Sequence, residues 1–511
     1  MGLVLGCERS TLAFYSRFLL PPYNFQVDQR EVHSHLSGFD SFVLYSTARP
    51  RLCSFPVKTP LLSPLLYRSI VPAVGDLHPE VCPMKTASAA RLVRCVFSLL
   101  VASFLIAFLF AASPFVTQAS GDHSHSKVVG GYFEEWSIYF AGYNIANLQN
   151  NGVANKLTHL TYAFGGTTPA GCSIADAWAD YQTPYLPSVS GTPYPGPLYG
   201  NFAAIQQLKQ LHPGLKVLIS LAGADNFSAA AATAAGRQTF VASCIDLFIK
   251  GNLELGISAA GVFDGFDIDW EFPAPADTVN CTLLMQEFRR QLDALGKAHK
   301  TRYLLTMFGP AGEQNFSNMQ LAAIARTLDY YNVQGYDFHG TWETTTNHAS
   351  PLLDDKQDPV ADQNFFIEYT ISSYLKAGVP ADKLVLGIPT YARGWTGVPD
   401  TNNGLYQSST GPAPFPPADY LQTDGVITYL TLTGLTGFTR HFDLRRIAVW
   451  IYNPSTQTFW TYDDPVTVWL KMAYVNFRAP GGLGGAFVWA LKDDDTNGTI
   501  VKTIAAGLHH D

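Results

Sequence analysis

The chain has 511 residues, 47% of them hydrophobic, with 42 glycines and 32 prolines; this is the make-up of a folded protein long enough for a large core. A formal net charge of -8 argues against nucleic acid or an anionic membrane surface as partner. No solenoid-period repeat is present, and none of the seven cysteines (Cys7, Cys53, Cys82, Cys95, Cys172, Cys244, Cys281) forms a C-x-x-C pair, which sets aside repeat architectures and zinc or redox motifs.

Residues 1–83 scatter Pro, Arg, Ser and Leu without a sustained period and read as an unstructured leader. A basic stretch from Met84 to Arg94, an apolar run from Cys95 to Ala112 and the small residues around Ala119 then form the three parts of a secretory signal. The expectation is a signal peptide over 84–119, a natural start at Met84 rather than Met1, and a secreted product. Left uncleaved, the 95–112 run would anchor the chain in a membrane. Beyond Ala119 three cysteines remain, Cys172, Cys244 and Cys281. Outside the cytosol one disulfide can form, with the pairing open; three buried thiols is the alternative.

From Lys127 strands and amphipathic stretches alternate. The predicted strands are Val128–Phe133, Leu157–Phe164, Lys216–Leu221, Gly265–Trp270, Tyr303–Phe308, Asn332–Tyr336, Leu384–Pro389 and Gly484–Trp489. Helical patterns lie between, as over Arg237–Lys250, Cys281–Ala298 and Asn364–Ala377. This α/β order predicts a closed (β/α)8 TIM barrel over 127–508. A doubly wound open sheet is the alternative, but no glycine-rich nucleotide loop follows the first strand. The connection between strands 7 and 8 is too long for one helix and holds strand-like pieces, so a small α+β insertion is expected over 396–447. No Ser/Pro-rich linker marks off a further carbohydrate-binding module.

The fourth strand carries the chemistry. Read as extended chain, it places Asp267, Asp269 and Glu271 on one face and Phe266, Ile268, Trp270 and Phe272 on the other. Three carboxyls spaced about 6.5–7 Å apart along one face cannot all stay charged and unpaired in a packed interior. They must share protons, hold a cation or face a ligand cavity. A solvated edge strand and a carboxylate metal site are the plain readings. Catalysis is favoured, because the row ends at Pro273 beside the C-terminal end of a barrel strand. There, like charges raise the pKa of the last acid toward that of a general acid.

The run Asp264-Gly265-Phe266-Asp267-Ile268-Asp269-Trp270-Glu271 resembles, at every specified position, the D-G-x-D-x-D-x-E signature of the family 18 glycoside hydrolases, the chitinases. The resemblance extends over nearly all of Lys127–Leu508, through Lys127–Phe133, Leu157–Phe164, Asn332–Gly340, Leu386–Trp395 and Gly484–Trp489. It is closest to secreted bacterial and fungal chitinases with the insertion. It implies that Glu271 donates a proton to the glycosidic oxygen while the substrate's own acetamide attacks the anomeric carbon. By the same resemblance Asp269 holds the acetamide N–H, Asp267 tunes Asp269, and Tyr336 aligns the acetamide oxygen. Asp337 and Arg393 would bind sugar hydroxyls, Trp489 would floor the cleavage site, and Tyr132, Phe164, Phe272, Gln334 and Tyr391 would wall the cleft.

Each residue has a structural alternative. Trp489 and Tyr132 fit as core aromatics, Tyr336 as a buried tyrosine with a satisfied hydroxyl, and Arg393 as a brace for Asp337. Four positions depart from the family pattern. Ala222 and Ala224 stand where a glycine and a leaving-side aromatic are usual, Gln334 replaces Met, and Ala392 replaces Gly. A lost stacking platform weakens binding by about 1–2 kcal/mol.

The resulting expectation is an endo-acting chitinase that retains anomeric configuration. It would need no metal or cofactor, work as a monomer, and take chitin or chitooligosaccharides as its partner. The rivals are an endo-β-N-acetylglucosaminidase acting on N-glycans or peptidoglycan, and a chitinase-like lectin, disfavoured because Glu271 is present.

Overall fold

The computed structural model describes residues 127–508, apart from Asp355. The leader expected over 1–83, the signal expected over 84–119 and the 95–112 run lie outside the described residues. Eight parallel strands close on themselves: β1 (Val128–Glu134), β2 (His159–Thr168), β3 (Lys216–Ala222), β4 (Gly265–Asp269), β5 (Leu304–Gly309), β6 (Tyr330–Val333), β7 (Leu384–Pro389) and β8 (Gly485–Trp489). Each pairs with the next, and β8 returns to pair with β1. The helices Gly200–Leu211, Ala234–Cys244, Thr278–His299, Ile367–Lys376, Pro465–Phe477 and Thr499–Leu508 are among those between or after the strands. The architecture is a (β/α)8 TIM barrel.

The two-residue strand period sorts the core into two parts. Outward side chains such as Val129, Leu160, Ile219, Phe266, Ile268 and Met307 join the large apolar cluster under the helices. Inward ones, including Tyr132, Tyr330, Val385 and Phe487, form a smaller cluster inside the barrel. The helix Pro465–Phe477 shows how local sequence sets a boundary. Asp464 Oδ1 accepts the Val466 and Thr467 amides, and Pro465 occupies the first turn, where an amide donor would go unused.

Two strand-level expectations need correction. The sixth strand runs two residues earlier than expected and stops at Val333. A Cβ on Gly335 would sit 2.3 Å from the Gly387 carbonyl, so the chain leaves the sheet there, pressed against β7. Asp337 follows in the left-handed region at φ 58°. Tyr336 and Asp337 therefore stand on a loop past the strand end. The paired part of β4 ends at Asp269, and the alternation persists one residue further. Trp270 still packs outward on Phe227, ring centroids 5.4 Å apart. Phe272, expected on the same apolar face, is half-buried beside Phe308 instead.

After β7 the chain builds a second, antiparallel sheet. Its order is Gly411–Pro412, Tyr391–Thr396, Thr458–Tyr462, Ala448–Asn453 and Thr439–Asp443, with Val426–Thr428 also on Tyr391–Thr396. Cys172, on a hairpin strand at the end of β2, is disulfide-bonded to Cys244 at the end of the helix Ala234–Cys244, while Cys281 is a buried free thiol. No described helix is long and apolar enough to cross a membrane.

Candidate active site

The acid row opens with Asp267, fully buried inside the barrel. The sheet register sets Ser220 of β3 and Thr306 of β5 beside it. Its Oδ2 accepts the Tyr132 hydroxyl at 2.7 Å and the Ser220 hydroxyl at 2.8 Å. Its Oδ1 accepts the Thr306 hydroxyl at 2.6 Å and the Asn332 amide at 3.1 Å. Burial raises its pKa, and these four hydrogen bonds pull the other way.

Asp269 ends β4 and is 8% exposed; no amide, hydroxyl or amine donates to its buried Oδ1. Its carboxyl hydrogen-bonds that of Glu271, two residues on. Burial, then the charges of Glu271 and Asp267, push Asp269 far above the ordinary carboxylate range. Burial, opposed by the Asp269 hydrogen bond, brings Glu271 up to about 7. Glu271 is also solvent-exposed. The two facts are compatible: the side chain opens to water on one side while protein atoms surround the rest of the carboxyl. The pair thus carries a proton at neutral pH, and it faces an opening.

Around the pair, Tyr336 is buried and feels the charges of Asp337, Glu271, Asp269 and Asp267. A side chain on Gly387 would collide with its ring, 2.8 Å from Cε1. Asp337 is gripped in two-point fashion by Arg393, Nε to Oδ1 at 2.8 Å and Nη2 to Oδ2 at 2.7 Å. The guanidinium also lies over the rings of Tyr391 and Trp342, at 5.2 and 5.3 Å. Arg393 belongs to the insertion sheet and Asp337 to the loop after β6, so this pair joins insertion to barrel.

A row of rings leads away. Trp489 at the end of β8 lies 5.2 Å from Tyr132 and stacks at 5.9 Å on Phe164, which stands at the β2 bulge between Ala163 and Gly165. Phe164 in turn meets Trp136 at 6.0 Å. Trp489, Phe164 and Trp136 are all partly exposed, whereas core aromatics such as Tyr162 are not. Gln334 accepts the Ala311 amide at 3.2 Å and so is tied to the loop after β5. Ala224 presents only a methyl group just ahead of the helix Asp225–Ala231.

The structure therefore gathers Asp267, Asp269, Glu271, Tyr336 and Tyr132 into one cluster. It links Asp337, Arg393 and Tyr391 at one flank, and aligns Phe164 with Trp489. Sequence reasoning missed Trp136, Trp342 and the neutral donors Ser220, Thr306 and Asn332. Trp136 lies only two residues past β1, where barrel sites collect, and that was the available signal.

Residues 128–494 match the model of the Glycosyl hydrolases family 18. The chain belongs to this family. Among curated relatives of this family 18 chain, Chitinase A1 of Niallia circulans is 33% identical over 78% of the chain, and Chitinase 63 of Streptomyces plicatus 33% identical over 77%. The chain spans 60% and 63% of their respective lengths. Chitinase 1 of Aphanocladium album is 30% identical, covering 79% of the chain and 92% of that protein. Among solved structures, the catalytic domain of psychrophilic chitinase B from Arthrobacter TAD20 superposes with a TM-score of 0.69. It is 35% identical and covers 75% of the chain and 95% of that structure.

Proposed function

We propose that this family 18 chain is a secreted, endo-acting chitinase that hydrolyses β-1,4 links between N-acetylglucosamine units. The observation that carries the reading is the mutual hydrogen bond of Asp269 and Glu271. A retaining enzyme with a carboxylate nucleophile separates its two carboxyls by about 5–5.5 Å, and an inverting one by about 6.5–9.5 Å, to fit the reacting carbon or a water between them. Two carboxyls in contact leave no such room. That supports an attacking group supplied by the substrate, an acetamide at C2.

In this mechanism Glu271 gives its proton to the glycosidic oxygen as the acetamide oxygen closes on the anomeric carbon. As the proton shared by the pair passes through Glu271 to the leaving oxygen, Asp269 is left anionic; it accepts the acetamide N–H and stabilises the cyclic oxazolinium cation, negative charge standing where positive charge develops. Asp267, held by its four donors, keeps a second acid behind Asp269. Tyr336 donates to the acetamide oxygen and fixes its line of attack. Water then opens the oxazolinium with Glu271 as base, giving retention. Trp489 floors the cleavage site, Phe164, Phe272, Tyr391, Tyr132 and Gln334 bound the cleft, and Asp337 with Arg393 holds sugar hydroxyls at the insertion side. The disulfide supports a site of action outside the reducing cytosol.

Product analysis on chitin hexamer tests the reading. Internal cleavage with β-anomeric products is expected from the wild type, and cleavage slowed at least about a hundredfold from Glu271→Gln. Efficient hydrolysis of cellulose oligomers, which lack the acetamide, would overturn it.

A further inference from the structure

A second pair of carboxyls touches inside this protein, outside the catalytic row. Glu135 follows β1 directly and is 7% exposed; Asp180, on the excursion after β2, is 1% exposed. Their side chains hydrogen-bond each other, and no amide, hydroxyl or amine donates to Glu135 Oε2.

The two sides are not equally held. Asp180 is fixed: its Oδ1 accepts the Tyr162 hydroxyl at 2.5 Å, and its backbone packs so closely on Gly200 (φ 60°) that a Cβ there would lie 2.7 Å away. Asn201 supports the same corner, donating to the Tyr162 hydroxyl at 3.0 Å and to the Glu135 carbonyl at 3.4 Å. Glu135 sits on a single short turn, Glu135–Ile138, and the residue after it is Trp136, the outer ring of the aromatic row.

The groups facing the pair are Asp176, which accepts the Tyr139 hydroxyl at 2.6 Å, and the Tyr139 and Tyr162 phenols. The Asp176 charge opposes two buried anions here, while the neutral Tyr162 phenol donates to Asp180. No cluster of three acids among the described residues is arranged to hold a metal ion.

We propose that Glu135 and Asp180 are positioning residues of the substrate groove: a proton shared between them clasps the turn that carries Trp136 and so sets the grip on the sugar farthest along the aromatic row. Burial first, then Asp180 and Asp176, pushes the Glu135 carboxyl up to about 11, and burial brings Asp180 to about 7, so the clasp keeps a proton throughout the neutral range. Once that proton leaves, two anions face each other in a buried site, and the turn releases. Because the proposal rests on the chitinase reading, the wild-type activity on a chitobiose aryl glycoside serves as the separate control for that reading. Trp136 is the ring farthest from Trp489 in the row, so this short substrate is chosen to stop before it.

The test compares steady-state constants of the full chain on chitohexaose and on the chitobiose aryl glycoside. Glu135→Ala should raise KM for the hexamer about five- to tenfold, the worth of one aromatic contact. Its kcat, and both constants for the short substrate, should stay within twofold of wild type. Glu135→Gln should restore the hexamer KM, since its amide donates to Asp180 without a shared proton. Between pH 7 and 11 chitohexaose affinity, read by direct titration on a Glu271→Gln background, should weaken with Glu135 present and stay flat once Glu135→Gln is added, a comparison that survives if the alanine variant fails to fold. A parental hexamer KM in Glu135→Ala, a Gln variant as impaired as Ala, equal losses on both substrates, or a hexamer KM lowered by added calcium would each overturn the proposal.

Discussion

Asp269 hydrogen-bonds the carboxyl of Glu271, and no amide, hydroxyl or amine among the described residues donates to its buried Oδ1. Asp267 cannot supply a proton there, because its own oxygens are taken by Tyr132, Ser220, Thr306 and Asn332. The two carboxyls therefore titrate as a unit, and in the proposed mechanism the acid form is the working one.

The sign of the pH dependence follows. Glu271 is raised to about 7, so the reactive proton is present below that pH and lost above it. The kcat/KM for chitotetraose should fall on the alkaline side with a midpoint near 7. In Glu271→Gln the proton is absent at every pH, and kcat should drop about a hundred- to ten-thousand-fold while oligomer binding persists. A pH–rate profile with an oligomer titration on the variant checks both.

Tyr336 owes its place to Gly387, whose missing side chain admits the ring. Tyr336→Phe should preserve that packing and delete one donor to a charge-bearing oxygen. The expected effect is a loss of about a hundredfold in kcat with KM nearly unchanged, because the interaction strengthens in the transition state. Steady-state kinetics on chitotetraose reads it.

The Cys172–Cys244 disulfide closes a loop with a sequence separation of 72. Loop-closure entropy gives it a worth of about 4 kcal/mol. Cys172→Ser should lower the melting temperature by several degrees, and reductant should do the same to the wild type but not to the variant. Calorimetry with and without dithiothreitol separates the cases.

Lys471 and Asp463 are both wholly buried, 2.5 Å apart, and the ammonium also donates to the Ser350 carbonyl and hydroxyl at 2.7 Å each. They join the helix Pro465–Phe477 to the end of the insertion sheet and the loop after β6. Lys471→Met leaves a bare buried carboxylate and should cost about 3–5 kcal/mol. Adding Asp463→Leu should recover much of that, since no charge is then stranded. Denaturant unfolding of the single and double variants gives the comparison.

The barrel was legible because its strands announce themselves. Leu384–Pro389 is found where the pattern places it, and most other strand ends differ by only a residue or two. The acid row was legible for the same reason: alternate residues of one strand share a face whatever lies around them. The insertion showed as a connection too long for one helix.

What the pattern could not reach were relationships between distant segments. Trp136 carries no periodic signal, and only the ring contacts through Phe164 to Trp489 place it in the aromatic row. Glu135 and Asp180 are 45 positions apart in the sequence and meet only because two loops fold together above the barrel. Of three candidate cysteines, proximity alone chose Cys172 and Cys244. Strand periodicity, a local property of the backbone, thus determined the barrel and the order of the acids from sequence alone. Which carboxyls touch, which donors hold them and which ring ends the aromatic row are settled by long-range packing, which brings together side chains with no regular spacing along the chain.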